Sequence, residues 1–455
     1  MKNKALLLIP FIAVTACSKV GALKEGGGAP SASVSSTARL FTGTGKDTKD
    51  YVTKYFGSNI EVSNLANPAT NYYDSLVNSN NFSSAKTLLW DSWKAANSSR
   101  LSTFSGPAEN STADFVWDIP SGERMPVQLR KKGSKPVTGY PFLINLHGGG
   151  SYPGTTTPWG ASGNTSEWNA AKSLGLAYAD APSYYFIPRM ADDRKGRWYY
   201  KPQQTAWLRA WQLAVLAGDV NPDKTYILGI SEGGYGSFRM GAFFADYFAG
   251  LGPMAGPETP EGAAIENLRN TATRVEVGEF DTGFGRNAMG ADWKKRLDSA
   301  TAANPGQFNH VVVIQPGKGH GINYYDVSPW LVKQTRKNYP DTLSFLYYDT
   351  DGAYRTGFGH VRLDGLSKAG KKEFKVIKTG NTFAITTGNR SGSVTGNITL
   401  YIDKVDFTKP VVITLNGTEK YNGVVQQNLG TMIESIALFG DPKRIFTARA
   451  DIAIN

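Results

Sequence analysis

A serine stands between two glycines in the segment Gly229-Ile-Ser231-Glu-Gly233. The strand-forming residues Tyr226, Ile227 and Leu228 precede it, and a segment that can form a helix, residues 235–247, follows. Glycines on both sides permit a sharp strand-to-helix turn, which exposes the serine hydroxyl at the carboxyl end of a sheet. This context predicts that Ser231 attacks a carbonyl carbon as a nucleophile. The alternative is a glycine-rich turn whose serine only caps the helix.

A nucleophilic serine needs a general base, and histidine is the usual one. The chain has four histidines, namely His147, His310, His320 and His360. His320 follows a predicted strand at residues 310–315, in the loop Pro316-Gly-Lys-Gly-His320-Gly321. A loop at the carboxyl end of a strand is where a serine hydrolase carries its base, so His320 is predicted to take the proton of Ser231.

The third member of such a site is a carboxylate that orients the histidine. A predicted strand at residues 273–278 is followed by Glu279-Phe-Asp281. Asp281 is predicted to hold the imidazole of His320 and to stabilise its cation. Glu279 lies two residues away and is the alternative. The chain order Ser231, Asp281, His320 is the order found in α/β-hydrolases.

A glycine run supplies a candidate oxyanion hole. The predicted buried strand at residues 140–146 runs into His147-Gly-Gly-Gly150. Glycines let backbone N–H groups approach a developing oxyanion without side chains in the way. The predicted donors are the N–H of Glu232 and an N–H from Gly148 or Gly149. The alternative is a glycine-rich turn with no part in catalysis.

These motifs carry a resemblance to a known family. His147–Gly150 resembles the oxyanion loop of lipases and esterases of the α/β-hydrolase fold. Residues 219–234 and 246–256 resemble the nucleophile region of secreted polyhydroxybutyrate-depolymerase-like and prolyl-oligopeptidase-like α/β-hydrolases. The resemblance covers roughly residues 137–340. It implies an α/β fold, with a mostly parallel sheet flanked by helices, and a hydrolase that needs no cofactor.

The start of the chain resembles a bacterial lipoprotein signal. A basic stretch, Met1-Lys-Asn-Lys4, precedes an apolar run and then Val14-Thr-Ala-Cys17, which contains the single cysteine of the chain. The resemblance implies cleavage before Cys17 and lipidation of that residue, so residues 1–16 are predicted to be a signal peptide. Ser18 favours the outer over the inner membrane. The alternative is an ordinary secretory signal with an incidental cysteine.

The remaining chain is predicted to form a tether and three regions. Residues 17–37 are rich in Gly, Ser and Ala and read as a disordered tether. Residues 38–105 are predicted to be an N-terminal segment that packs on the core, and residues 341–455 a small β-rich domain. The catalytic domain is assigned to residues 106–340.

Several elements follow from residue patterns. Predicted helices lie at residues 47–56, 83–96, 203–218, 327–337 and 427–439. Further strands are predicted at residues 115–119, 125–130, 174–179, 343–348, 382–386, 394–401 and 411–415. Asn416-Gly417 predicts a hairpin after the last of these strands. The loop at residues 183–200 is rich in aromatic residues, which either shape the substrate pocket or pack on the body of the domain.

The formal net charge is +11. The basic residues form short clusters that are far apart in the chain, so a solvated surface is favoured over a nucleic-acid-binding face. Attraction to an acidic polysaccharide stays open. No nucleic-acid partner is predicted; the predicted partners are a small-molecule or polysaccharide ester and, through lipidated Cys17, a membrane.

The motifs predict a lipid-anchored serine hydrolase that cleaves carboxylic esters through an acyl-enzyme on Ser231. The predicted substrate is a short acyl or phenolic ester of a polysaccharide or a similar exported compound. The first alternative is a prolyl-oligopeptidase-like serine peptidase, but the chain before residue 106 is too short for a β-propeller and shows no blade-like repeat. The second is a surface-binding lipoprotein that has lost catalysis.

Overall fold

The computed structural model describes residues 39–42, 46–58, 67–104, 106–389 and 394–454. The predicted signal peptide, the lipidation residue Cys17 and the predicted tether lie outside these residues.

The N-terminal segment is mainly helical. In chain order its elements are β1 Arg39–Leu40, α1 Lys46–Ser58, α2 Thr70–Tyr73, β2 Ser75–Leu76, α3 Phe82–Ala96 and α4 Ser98–Thr103. The predicted helices at 47–56 and 83–96 correspond to α1 and α3. In α3 the buried residues Ala85, Leu88, Leu89 and Trp93 recur at helical spacing, which explains why the sequence predicted this helix.

An eight-stranded sheet forms the centre of the molecule. Its strands are β3 Thr112–Asp118, β4 Arg124–Lys132, β5 Tyr140–Leu146, β6 Ser183–Pro188, β7 Val220–Ile230, β8 Gly250–Met254, β9 Ala272–Gly278 and β10 His310–Gln315. Their order across the sheet is β10-β9-β8-β7-β5-β6-β4-β3. Strands β5 to β10 are all parallel to one another. Strand β4 is antiparallel to β6, and β3 is antiparallel to β4.

Helices cover both faces of this sheet. They are α5 Ser162–Ala177, α6 Lys201–Leu216, α7 Glu232–Phe243, α8 Arg286–Ala303 and α9 Val327–Leu331. The core on one face includes residues of α6, α7 and α8, and the core on the other face includes residues of α5 and α9. The predicted α/β-hydrolase fold, a mostly parallel sheet flanked by helices, is confirmed.

One strand prediction was wrong. Residues 174–179 were expected to be a strand, but α5 continues to Ala177 and the next strand is β6. The apolar run is short, and a short apolar run does not by itself distinguish a buried helix from a strand. Gly175 lies within α5, where a Cβ atom would be 3.0 Å from the side chain of Ile187 in β6. The helix therefore packs closely on the strand that the sequence assigned to a loop.

The helix predicted at 327–337 is also shorter than expected, because α9 ends at Leu331. The chain then turns, and the buried Arg336 side chain pairs with Asp441, 2.7 Å away. Arg336 is therefore held by an ion pair with a residue far along the chain, where a further helical turn was predicted.

The C-terminal region is rich in β-structure, as predicted. Its elements are β11 Thr342–Tyr347, β12 Gly357–Phe358, β13 Val361–Asp364, β14 Lys372–Thr379, β15 Thr382–Asn389, β16 Gly396–Ile402, β17 Val411–Leu415, β18 Thr418–Gly423, α10 Leu429–Phe439 and β19 Ala448–Ile454. They form two sheets, ordered β11-β14-β15-β17-β18 and β12-β13-β16-β19, that share one hydrophobic core. The Asn416-Gly417 hairpin is present, with φ of 50° and 83° at these two residues.

The N-terminal segment packs mainly on the C-terminal region. Phe41, Val52 and Trp93 share a hydrophobic core with residues of α10, and Leu216 at the end of α6 is the buried residue of the central domain in that core. The expectation that this segment packs on the hydrolase core therefore describes only part of its contacts.

A buried ionic network joins the C-terminal region to the central domain. Asp246, just after α7, pairs with Arg355 and with Arg444, whose Nη1 lies 2.5 Å from Oδ2, and also accepts a hydrogen bond from the Gly359 N–H. Asp441 pairs with Arg444 at 2.7 Å. Burial alone would raise the pKa of Asp246, but the guanidinium groups of Arg355 and Arg444 outweigh it and hold that pKa well below its usual range.

Replacing Asp246 by Asn should destabilise the protein by about 3–5 kcal/mol, because two buried guanidinium groups lose a charged partner. Chemical denaturation at neutral pH measures the loss. The contribution of an acid with a depressed pKa is present above its ordinary pKa and is lost as the pH falls, so the difference from wild type should shrink below about pH 4. Asp298→Asn, at the exposed Lys294–Asp298 pair, is the control and should change stability little. A similar effect of both variants would contradict the prediction.

Candidate active site

Ser231 lies in a strained turn between β7 and α7. Its φ of 55° and ψ of −114° place it in the left-handed half of backbone space, and its N–H donates to the Met254 carbonyl at 2.8 Å. A Cβ atom on Gly233 would lie 2.1 Å from the Leu146 carbonyl, and one on Gly229 would lie 2.4 Å from the Gly233 carbonyl. Both glycines are therefore required by close backbone packing.

The structure brings Ser231, His320 and Asp281 together. His320 Nε2 lies 3.0 Å from Ser231 Oγ, and His320 Nδ1 lies 2.8 Å from Asp281 Oδ2. An ionised carboxylate accepts only, so Nδ1 carries the proton and Nε2 is left to accept the hydrogen of the serine. The Asp281 side chain is buried, whereas that of His320 is 46% exposed. The base is thus accessible from solvent while its partner is shielded.

The alternative acid, Glu279, does not reach the histidine ring. Its Oε2 accepts the N–H of Gly317 at 2.8 Å, at the other end of the loop that carries His320. The structure therefore gives the two neighbouring carboxylates different contacts: Asp281 contacts the imidazole, and Glu279 holds the loop.

Arg286 holds the carboxylate oxygen of Asp281 that His320 does not contact. Its Nη1 donates to Asp281 Oδ1 at 3.0 Å, and its Nε donates to the hydroxyl of Tyr235, also at 3.0 Å. A charge-assisted bond of this kind restrains the carboxylate in the orientation that serves the imidazole. Sequence reasoning missed Arg286, because an arginine at the start of a helix belongs to no motif.

Gln315 closes the loop that carries His320. Its side-chain amide donates to the Asn323 carbonyl at 2.8 Å and accepts the Asn323 N–H at 2.7 Å. The same amide nitrogen donates to the buried carboxylate of Glu276 at 2.5 Å. These bonds tie the two ends of the loop together, so the position of His320 is set by the end of β10. Nothing in the sequence distinguished this glutamine from a surface residue.

His147 is a structural residue of the neighbouring glycine loop. The Met190 N–H donates to its Nε2 at 3.2 Å, which leaves Nδ1 to carry the proton and donate to the Gly148 carbonyl at 2.6 Å. Burial lowers the pKa of His147 to about 3, so the ring is neutral. The Trp198 indole N–H donates to the His147 carbonyl at 2.9 Å. His147 therefore fixes this loop, and the histidine that contacts Ser231 Oγ is His320.

The glycine loop lies against the nucleophile turn. A Cβ atom on Gly233 would come within 2.8 Å of the His147 carbonyl, which shows how close the two backbones are. Gly149 has a φ of 95°, and a Cβ there would lie 2.1 Å from Asn164 Oδ1. That same oxygen accepts the Gly150 N–H at 3.1 Å. The Asn164 side chain is thus packed so closely on the loop that no Cβ atom fits at Gly149.

The predicted oxyanion donors Gly148, Gly149 and Glu232 lie on these two adjoining segments. The N–H of Glu232 is at the start of α7, where backbone N–H groups lack partners within the helix and the helix dipole favours negative charge. The donor from the glycine loop stays a choice between Gly148 and Gly149.

The carboxyl group of Glu232 is a feature that sequence reasoning missed. The side chain is buried, its Oε2 lies 2.5 Å from Arg197 Nη1, and its Oε1 has no hydrogen-bond partner among the described residues. Burial raises the pKa of Glu232 to about 7, and the Arg197 guanidinium opposes that rise. A titrating acid thus stands directly after the candidate nucleophile.

The aromatic residues of the loop at 183–200 do not line the site. Tyr184, Tyr185 and Phe186 belong to β6 and are buried, and Trp198 is buried behind the glycine loop. Of the two interpretations of this loop, packing on the body of the domain is the one that the structure shows.

The described residues contain no group of three or more His, Cys, Asp or Glu side chains that could hold a metal ion. Within the same residues, no helix is both long enough and apolar enough to cross a membrane.

The chain matches no known protein-family profile and no curated protein sequence. Solved structures match about half of it. A thermostable esterase is 19% identical over 50% of this chain and 63% of its own, less than two thirds of its length, with a TM-score of 0.35. A poly(3-hydroxybutyrate) depolymerase from Bordetella parapertussis is 14% identical over 47% of this chain and 86% of its own, with a TM-score of 0.37.

A feruloyl esterase module from Clostridium thermocellum, complexed with sinapinate, is 15% identical over 51% of this chain and 92% of its own, with a TM-score of 0.33. Similarities at this level carry no argument about activity or substrate. The functional assignment therefore depends on the geometry of the chain's own residues.

Asp281→Asn should lower kcat by about 10^4, because an amide lets the imidazole adopt the wrong tautomer. Glu279→Gln is the matched control, two residues away on the same loop. Its amide oxygen can still accept the Gly317 N–H, so its kcat should stay within a few-fold of wild type. Steady-state kinetics on a chromogenic ester distinguishes the two variants. A crippled Glu279→Gln enzyme beside an active Asp281→Asn enzyme would reverse the assignment of the acid.

Proposed function

We propose that this chain is a serine hydrolase that cleaves carboxylic esters through an acyl-enzyme. The observation that carries the proposal is the continuous hydrogen-bonded chain from Asp281 through His320 to Ser231, with distances of 2.8 and 3.0 Å. A nucleophile, a base and an orienting acid at these distances are what acyl transfer requires.

In the first half-reaction Ser231 Oγ attacks the ester carbonyl and its proton passes to His320 Nε2. The carbonyl oxygen becomes an oxyanion that accepts hydrogen bonds from the N–H of Glu232 and from Gly148 or Gly149. The tetrahedral intermediate collapses, the bond to the alkoxy oxygen breaks, and His320 protonates the departing alcohol. Asp281 stabilises the imidazolium ion while it exists.

The second half-reaction repeats these steps with water. His320 accepts a proton from water, the resulting hydroxide attacks the acyl carbon, and the same N–H groups hold the second oxyanion. Ser231 leaves with the proton returned by His320. The products are a carboxylic acid and the free enzyme.

An ester suits this site better than a peptide. An alkoxide is a better leaving group than an amine anion, so an ester needs less assistance than an amide. The elements before β3 in the described chain are short helices and strands with no repeated blades, which speaks against a peptidase that filters its substrate through a propeller. The finer proposal is a short acyl or phenolic ester of a polysaccharide or a similar exported compound.

The purified protein should hydrolyse p-nitrophenyl acetate or butyrate and cleave prolyl anilides poorly. A fluorophosphonate probe should label wild type but not Ser231→Ala, whose kcat should fall by about 10^4–10^6. Near-wild-type turnover by Ser231→Ala would refute the mechanism. A higher kcat/KM on prolyl anilides would identify a peptidase, and inactivity on both substrate classes would favour a binding protein that has lost catalysis.

We also propose that the protein is anchored in a bacterial cell envelope, in the outer membrane, through lipidated Cys17. The support is the basic, apolar and Val14-Thr-Ala-Cys17 sequence of the leader. A lipid anchor of this kind would hold the enzyme outside the cytoplasm, where polymer-borne esters are met.

Cys17→Ser should prevent processing or release the protein from the membrane fraction, because lipidation needs the thiol. Fractionation and the mass of the mature N-terminus report the result. Unchanged membrane association and unchanged signal cleavage in Cys17→Ser would rule out lipidation.

A further inference from the structure

The exposed aromatic residues of the described chain all lie in the loops of the candidate active site. They are Tyr152, Phe280, Phe284 and Tyr325, with exposed fractions of 39%, 63%, 90% and 55%. The other aromatic side chains in the described ranges are buried or half-buried. Tyr152 follows the glycine loop, Phe280 and Phe284 flank Asp281, and Tyr325 follows His320. We call these four residues the aromatic rim.

Phe284 is the most unusual member of the rim. It is a non-glycine residue with a φ of 55°, held between Gly283 and Gly285. Its ring lies 5.0 Å from the guanidinium carbon of Arg286, the residue that holds Asp281. A large apolar side chain that is both exposed and in a strained backbone conformation contributes little to folding. Such an outlier beside a reactive centre points to a binding role.

Apart from prolines, the rim loops expose aromatic and polar side chains but none of the larger aliphatic ones. In residues 151–160, 279–285 and 316–326 there is no exposed Leu, Ile, Val or Met. The exposed large aliphatic residues of the described chain lie elsewhere, at Leu40, Val116, Val137, Leu176, Ile377 and Val424. A surface for an aliphatic polyester or a lipid would present such larger aliphatic side chains as well, because much of the surface of these ligands is hydrocarbon.

Flat aromatic faces beside polar side chains suit a ligand made of rings that carry hydroxyl groups. The apolar face of a sugar ring lies against an aromatic ring, and its hydroxyls bond to neighbouring polar groups or to water. Glu279, Thr282, Lys318 and Asn323 are exposed polar residues of these loops.

We propose that the aromatic rim binds the sugar rings of a polysaccharide that carries the scissile ester, and that the enzyme therefore prefers polymer-borne esters. This inference rests on the proposed esterase function and names the residues that recognise the polysaccharide part of its substrate. Three of the rim residues stand on the loops that carry Asp281 and His320, so a polysaccharide bound there would bring an ester on it close to Ser231.

The test compares kcat/KM on acetylated xylan with kcat/KM on p-nitrophenyl acetate, which carries no sugar ring for the rim to bind. In the double variant Phe284→Ala/Tyr325→Ala, the ratio of the two should fall about tenfold or more, mainly through a higher KM on xylan. Retardation in gels that contain deacetylated xylan should weaken in parallel, which measures binding without turnover.

Two further variants keep the test specific. Leu176→Ala/Ile377→Ala removes two exposed apolar side chains outside the rim loops and should leave the ratio unchanged. Phe284→Tyr/Tyr325→Phe keeps both aromatic faces, so its ratio should stay near the wild-type value. If these residues served folding alone, Phe284→Ala/Tyr325→Ala would lower kcat/KM on both substrates alike.

The outcomes separate this inference from the proposed function. A wild-type enzyme that does not turn over p-nitrophenyl acetate fails as an esterase. A wild-type enzyme that does, but whose ratio is unaffected by Phe284→Ala/Tyr325→Ala, overturns the rim proposal. Faster turnover of poly(3-hydroxybutyrate) granules than of acetylated xylan, acetylated glucomannan and acetylated pectin overturns it in favour of a polyester.

Discussion

The candidate site depends on the close packing of three pieces of backbone: the end of β7 at Gly229, the start of α7 at Gly233 and the end of β5 at Leu146. Ser231 can point at His320 only because Gly229 and Gly233 leave room for the turn to lie against the strand that ends at Leu146. Any side chain at either glycine would collide with main-chain atoms, which cannot move independently of the sheet. The same contact brings the start of α7 beside the glycine loop. The same backbone contact therefore positions both the nucleophile and its predicted oxyanion donors.

Around this fixed turn, the two other members of the triad stand on loops that are held by different means. Asp281 is buried and is gripped by Arg286, whereas His320 is half-exposed and lies on a loop closed by Gln315 and Glu279. The acid is thus held inside the protein, whereas the base is half-exposed on a loop that is fixed at its ends and by the contact with Asp281. This division suits a base that must meet substrate, water and proton in turn.

Much of this arrangement could be predicted from sequence, because the decisive signals are local. Glycines around Ser231, the strand before His147, and the strands before Asp281 and His320 each combine a periodic pattern with a turn. The predictions failed where the sequence pattern was short or where the interacting residue lies far along the chain. Residues 174–179 are apolar and could form either element, and the aromatic run at Tyr184 belongs to a strand because of burial that only the folded sheet reveals.

Side chains that position another side chain could not be predicted from sequence either, because only the fold brings them to their partners. Arg286, Gln315 and the carboxyl group of Glu232 acquire their contacts from tertiary neighbours, and no spacing rule marks them. The helix predicted to reach residue 337 ends at Leu331, and Arg336 instead pairs with Asp441, more than one hundred residues later. Such pairs are properties of the assembled molecule.

The ionic network around Asp246 has a consequence for the order in which the chain matures. Asp246 belongs to the central domain, yet its partner Arg444 follows 198 residues later, close to the carboxyl end of the chain. Until that arginine arrives, a carboxylate destined for the interior lacks one of its two guanidinium partners and must stay hydrated. A chain that emerges from its amino end therefore cannot complete this buried ionic network until residue 444 has been synthesised. The C-terminal region thus supplies a positive charge that a buried carboxylate of the central domain requires.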